Sequence, residues 1–132
     1  MDDMQNKSEE YWKEKLTPKQ YKVMRLSATE PPFTGEYYAT FDNGVYKCAG
    51  CGETLFSSDT KYDAGCGWPS FWNAIGDGKL ELKDDNSFGM HRIEVLCSKC
   101  GGHLGHLFDD GPGDKGGKRY CINSTSLNFE KK

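Results

Sequence analysis

Six cysteines carry the most distinctive chemistry of this 132-residue chain, and they are of two kinds. Four stand in pairs, Cys48-Ala49-Gly50-Cys51 and Cys97-Ser98-Lys99-Cys100. Zinc takes four thiolate or imidazole ligands in a tetrahedron, and a Cys-x-x-Cys turn supplies two of them. Glycine follows each pair, Gly52 after the first and Gly101-Gly102 after the second, which suits such a turn. Two turns close a four-cysteine site with no position open for substrate, so the metal is expected to be structural. The 45 residues between Cys51 and Cys97 exceed the roughly 15–20 of a compact zinc ribbon, so the site should join distant parts of the fold. Iron fits the same four thiolates. A redox Cys-x-x-Cys and a pair of disulfides are the competing readings.

The other two cysteines stand alone and read as a redox couple. Cys121 lies in Arg119-Tyr120-Cys121-Ile122-Asn123-Ser124. On a strand, residues two apart share a face, so Arg119, Cys121 and Asn123 project together while Tyr120 and Ile122 point inward. A cation beside a thiol favours thiolate, the nucleophilic form. The plainer alternative is an ordinary buried cysteine. Cys66 lies in Gly65-Cys66-Gly67-Trp68-Pro69-Ser70-Phe71-Trp72, a glycine-loosened loop whose aromatic residues either fill the core or wall an apolar pocket. His103 and His106, in Gly101-Gly102-His103-Leu104-Gly105-His106-Leu107-Phe108, are three apart. A regular strand sends them to opposite faces, and a bulge or turn at Gly105 would bring them to one side. His103 as hydrogen-bonded scaffolding remains an alternative.

Strands and loops must position these groups. Thr17-Pro18-Lys19-Gln20 reads as a capping box with proline at the first helical position, and Tyr21 and Met24 then share a face. Ser8 caps a shorter helix through Tyr11 and Trp12, and Pro31-Pro32 ends the helical region. Residues 36–41 and 45–48 flank Asp42-Asn43-Gly44, a hairpin signal. Residues 89–97 read as a strand with Ile93, Val95 and Cys97 on one face and Met90, Arg92, Glu94 and Leu96 on the other. Residues 119–129 read as the last strand, after a Gly/Pro/Asp loop at 109–118. Glycine is 16 of 132, about 12% against an average near 7%, which favours tight turns over long helices. The pattern indicates a mainly antiparallel β domain with N-terminal helices packed on it. Residues 1–16 form a polar N-terminal segment and residues 17–129 one domain.

Lys+Arg is 17 and Asp+Glu is 20, a net charge of -3 that argues against nucleic acid as a partner. No apolar run approaches the ~20 residues of a membrane span. The polar start, Met1-Asp2-Asp3-Met4, lacks an apolar signal core, so the expected address is cytoplasmic. A static all-disulfide role for six cysteines is not expected there.

Taken in order, the two Cys-x-x-Cys pairs, Gly65-Cys66-Gly67-Trp68-Pro69-Ser70-Phe71, His103-Leu104-Gly105-His106 with Asp110-Gly111-Pro112, and Arg119-Tyr120-Cys121-Ile122-Asn123-Ser124 resemble the B-type methionine sulfoxide reductases. Thr29-Glu30-Pro31-Pro32-Phe33-Thr34-Gly35 resembles that family's start, and the likeness runs from about Thr17 to Phe129. The resemblance implies two antiparallel β-sheets, tent-like, with short N-terminal helices and one structural zinc on Cys48, Cys51, Cys97 and Cys100, away from the active site. It implies that Cys121 attacks the sulfur of protein-bound methionine-R-sulfoxide and becomes a sulfenic acid. Cys66 then matches the resolving cysteine that condenses with it to a disulfide, and thioredoxin reduces that bond. Trp68 and Phe108 match the pocket for the methyl end of the sulfoxide; His103, His106, Asn123 and Arg119 match its polar side. The expected partners are oxidised proteins and thioredoxin, with the protein a monomer.

The residue chemistry agrees with the resemblance. Sulfoxide oxygen leaves only when protonated, which calls for an acid such as imidazole close by. A sulfenic acid condenses readily with a nearby thiol, and the two known reductase types each take one sulfoxide epimer. The rival functions are a non-catalytic zinc-stapled binding module, which needs only the four paired cysteines, and a thiol redox sensor that switches without turnover.

Overall fold

Two short helices open the described chain where their caps place them. Ser8 accepts from the Tyr11 amide and starts α1 (Glu9–Lys15). Thr17 and Gln20 form the expected reciprocal capping box of α2 (Pro18–Arg25). The computed structural model describes residues 8–26, 28–35, 37, 42–76, 78–86, 89 and 92–131. Trp12 and Leu16 are buried with Tyr21 and Met24 in the main core, so residues from within the polar N-terminal segment contribute to packing. Thr17→Ala removes the side-chain half of an exposed cap, and about 1 kcal/mol of stability is expected to go with it. A thermal melt should show a loss of about 3–5 °C with activity at 25 °C unchanged.

Among the described residues, nine strands build two antiparallel sheets. The smaller has the order β2-β1-β9, from β1 (Gly44–Cys48), β2 (Thr54–Ser57) and β9 (Leu127–Lys131). The larger has the order β3-β4-β8-β7-β6-β5, from β3 (Lys61–Tyr62), β4 (Ser70–Phe71), β5 (Leu80–Asp85), β6 (Arg92–Cys97), β7 (His103–Phe108) and β8 (Arg119–Ile122). Aromatic rings join the sheets. Phe71 of the larger stacks on Phe56 of the smaller at 4.3 Å and meets Tyr46 edge-on at 5.2 Å. All three are fully buried. Among the described residues, no helix is long and apolar enough to cross a membrane.

Two expectations change. Residues 119–129 are not one strand: β8 ends at Ile122 in the larger sheet and β9 begins at Leu127 in the smaller. A 3₁₀ turn at Ser124–Ser126 carries the chain across. The reason is local. The Ser126 hydroxyl donates to the His103 carbonyl and Ser124 accepts from the Tyr37 amide, so hydroxyls replace ladder partners. Of the strand expected at 89–97, Arg92–Cys97 forms β6 and Gly89 is not strand, while residues 90 and 91 lie outside the described residues. Residues 45–48 do form strand β1, whereas the other arm of the expected hairpin, 36–41, lies outside the described residues apart from Tyr37.

Candidate active site

The sheets converge on two clusters of sulfur. At the first, Cys48 ends β1 and Cys51 lies on the turn that follows, and Cys97 ends β6 with Cys100 on its turn. The two turns are built alike: Gly52 N–H donates to Cys48 O and Gly101 N–H to Cys97 O, with φ of +82° and +75° at the two glycines. All four sulfurs lie within 4.8 Å of one another. Cys48–Cys100 and Cys51–Cys97 are 3.6 Å apart, far beyond the ~2.05 Å of a disulfide and close to the ~3.8 Å edge of a tetrahedron with 2.3 Å metal–sulfur bonds. The sulfurs also disturb one another: contact with Cys100 above all holds the Cys48 thiol far above its usual range and Cys51 far below it. A divalent cation would resolve that conflict by accepting all four as thiolates. The donor set therefore fits a structural metal, and because β1 and β6 belong to different sheets it would tie the sheets together. α2 closes over the site, Arg25 donating to the Cys100 carbonyl at 3.0 Å.

The second cluster forms on the larger sheet. In the antiparallel register Cys121 of β8 lies opposite His106 of β7 on one side and Ser70 of β4 on the other. Opposite residues share a face, so the pairing delivers imidazole and hydroxyl to the thiol. Cys66, on the loop leading into β4, puts its sulfur 3.4 Å from Ser70 Oγ and 3.6 Å from the Trp68 carbonyl oxygen. A cavity of about 160 Å³ collects Cys66, Cys121, Trp68, Phe108, His106 and Arg119, with Asn123 at its wall. None of the four paired cysteines lines it. Strand packing is tight here: a Cβ on Gly105 would stand 1.9 Å from the Cys121 carbonyl oxygen, so only glycine lets β7 and β8 approach this closely.

The histidines reach one side as expected, through a bulge displaced by one residue. Val95 faces Gly105 and Leu96 faces His103, which leaves Leu104 as the extra residue. That insertion cancels one step of the alternation, and the two rings lie 5.5 Å apart. Leu104 can hold this place because its side chain is fully buried and its carbonyl accepts from both the backbone and the side-chain nitrogen of Asn123. The two rings are not equivalent. His106 lines the cavity and contacts Asp85 through Nε2 at 2.8 Å. His103 lies behind it, 2% exposed, with Nδ1 2.7 Å from Glu94, and burial lowers its basicity against the pull of that carboxylate.

The electrostatics of the thiols reverse the order expected from the strand face. Burial, and then the charge of Cys66, push the Cys121 thiol up to about 12. Arg119 opposes this without winning, since its guanidinium is committed to Asp110 at 2.7 and 3.3 Å and lies over the Phe108 ring at 4.3 Å. Burial also opposes ionisation of Cys66, but contact with Ser70 and the Trp68 backbone brings that thiol below its usual range. Of the two thiols, Cys66 is therefore the more readily ionised.

This array matches a known family. A model of the SelR domain matches residues 16–131. The chain is a member of the SelR-domain family. Three relatives of this SelR-domain protein are each named peptide methionine sulfoxide reductase MsrB. That of Methanosarcina barkeri is 59% identical over 94% of this chain and 87% of its own length. That of Leptospira interrogans is 58% identical over 96% and 95%, and that of Methanosarcina mazei 57% identical over 95% and 89%. Among solved structures, the Mis18 "Yippee-like" domain shares the fold with a TM-score of 0.55 at 14% identity, over 69% of this chain and 98% of its own.

Several residues of the SelR-domain site escaped sequence reasoning. Thr29, Arg92 and Gly105 line the cavity, and Asp85 and Glu94 hold the histidines. Glu94 carried a readable signal, a carboxylate inside the apolar run Ile93-Glu94-Val95-Leu96. Asp85 carried none, because it meets His106 only through the β5–β6–β7 pairing.

Proposed function

We propose that this protein reduces methionine-R-sulfoxide in oxidised proteins, with Cys121 as nucleophile, Cys66 as resolving thiol and thioredoxin as reductant. The observation that carries the reading is the shared cavity. Two thiols, an aromatic wall of Trp68 and Phe108, and a carboxylate-supported imidazole converge in a space large enough for a methyl sulfoxide. In this reading the Cys121 sulfur attacks the sulfoxide sulfur as the oxygen is protonated. The hydroxyl then passes from the substrate sulfur to Cys121 as the transient sulfur–sulfur bond breaks, so methionine departs and Cys121 is left as a sulfenic acid. A nucleophile that holds its proton brings the one the sulfenic oxygen keeps, and His106 is placed to relay it and to assist the second protonation when that oxygen leaves as water. Cys66 then displaces water to form the Cys66–Cys121 disulfide, and a thioredoxin dithiol exchanges with it to restore both thiols.

For the paired cysteines the reading assigns zinc, because thiolates arranged this closely suit a soft-accepting tetrahedral ion. It places the protein in the cytoplasm as a monomer, where reductants sustain the cycle, and it requires neither nucleic acid nor membrane. A purely structural module of this fold has no need of the second cluster, and a redox sensor has no need of turnover. A coupled assay separates them. With thioredoxin, thioredoxin reductase and NADPH, the R epimer of a methionine-sulfoxide peptide should be turned over many times and the S epimer at least about 100-fold more slowly. Cys66→Ser should end cycling with thioredoxin yet release up to one methionine per enzyme. Equal rates on both epimers, or no multiple turnover, would overturn the assignment.

A further inference from the structure

We infer that Glu30 is a positioning residue that fixes the aromatic and amide walls of the cavity from outside it. Glu30 does not line the cavity. It is 3% exposed, an uncommon burial for a carboxylate. Its Oε1 accepts two hydrogen bonds of 2.8 Å from Thr125, one from the backbone N–H and one from the hydroxyl. Its backbone holds the site on both sides. The Glu30 carbonyl accepts from Trp68 Nε1–H at 2.9 Å, and the Glu30 N–H donates to Asn123 Oδ1 at 3.0 Å.

Among the described residues, the next backbone anchor of this segment is three residues on, where Phe33 N–H donates to the Gly67 carbonyl at 2.8 Å. Glu30 lies in no helix or strand, and the neighbouring Pro31 and Pro32 have no N–H with which to join a ladder. The side-chain bonds to Thr125 therefore help to fix where the Glu30 peptide stands, and that peptide bonds the indole on one side and the amide on the other. Two of the predicted substrate contacts, Trp68 and Asn123, thus depend on one buried carboxylate 93 residues from Asn123 in sequence. The other carboxylate oxygen, Oε2, is buried with no hydrogen-bond partner among the described residues. An unmatched oxygen of this kind is costly, so its retention calls for a role beyond packing.

The inference rests on the sulfoxide reading of the cavity, and its test includes a measurement made without substrate. In ¹⁵N–¹H spectra of the reduced protein, Trp68→Phe identifies the Trp68 indole resonance. Glu30→Ala and Thr125→Val should each move that resonance and leave the Trp72 indole in place. Glu30→Ala should raise KM for the peptide sulfoxide about tenfold with a smaller change in kcat, and Thr125→Val, which keeps the backbone bond, should raise it by about threefold. Glu30→Gln, which keeps an oxygen facing Thr125, should restore KM to within about threefold of wild type. The double variant Glu30→Ala/Thr125→Val should be no worse than Glu30→Ala, because the hydroxyl bond that Thr125→Val removes is already lost there. Should Glu30→Ala fail to fold, Thr125→Val alone carries the test. An unmoved Trp68 indole in a folded variant, or Gln no better than Ala, overturns the role of Glu30. Absence of sulfoxide reduction by wild type overturns the function instead and leaves the indole result standing.

Discussion

Cys121→Ser is expected to abolish sulfoxide reduction, by at least about four orders of magnitude, and to leave no single-turnover burst. The serine hydroxyl is nearly the same size and keeps the pairing with His106 and Ser70, so the fold should survive. What goes is a polarisable sulfur able to take oxygen and hand it on as water. Any stoichiometric release of methionine by this variant defeats the mechanism. The same thiol gives a pH signature. With Cys121 held up to about 12 by burial and by Cys66, its thiolate fraction should rise about tenfold per pH unit across the working range. Iodoacetamide at neutral pH should therefore label Cys66 before Cys121, as peptide mapping would show. Cys66→Ser removes the competing negative charge, lowers the Cys121 pKa and should speed labelling of Cys121 at a given pH. Faster labelling of Cys121 than of Cys66 in wild type would refute this ordering.

Cys97→Ser should produce the largest loss of stability. Serine is a poor ligand for a soft-accepting site, and the three remaining thiols are left crowded without a cation to share. The two sheets would lose their tie where β1 approaches the β6–β7 turn. A loss of several kcal/mol corresponds to a fall in melting temperature of about 10–20 °C for a domain of this size. Elemental analysis should find one zinc per wild-type chain and little in the variant. Well below its melting temperature the variant should still reduce sulfoxide with dithiothreitol, since none of the four cysteines lines the cavity. Metal-free wild-type protein of unchanged stability would contradict the structural role.

Much of this was legible in the chain because it is encoded at short range. The caps at Ser8 and Thr17 appear where they were read, since each needs only the next three residues. The two metal turns were legible because Cys-x-x-Cys and its following glycine form one hydrogen-bonded loop. Even the return of His103 and His106 to one side was foreseeable from the glycines, although the bulge falls on Leu104, whose side chain the core demands. The expected single strand at 119–129 failed for a long-range reason. Period-2 patterning cannot show that Ser124, Thr125 and Ser126 have better partners at Tyr37, Glu30 and His103.

Sequence by itself determined which residues can do chemistry here: four thiols for a metal, two for redox exchange, and aromatics and imidazoles to receive a substrate. Residue type and local spacing suffice for that, because nucleophilicity and ligand preference are properties of side chains. Tertiary structure alone decided how the charge is shared. A reading of the strand face put Arg119 beside Cys121 and expected a thiolate there. The folded site places Asp110 on Arg119 and Ser70 on Cys66, and half-buries Cys121. Desolvation and neighbouring charge act through space, between residues far apart in the chain, and so they exist only once the sheets have closed.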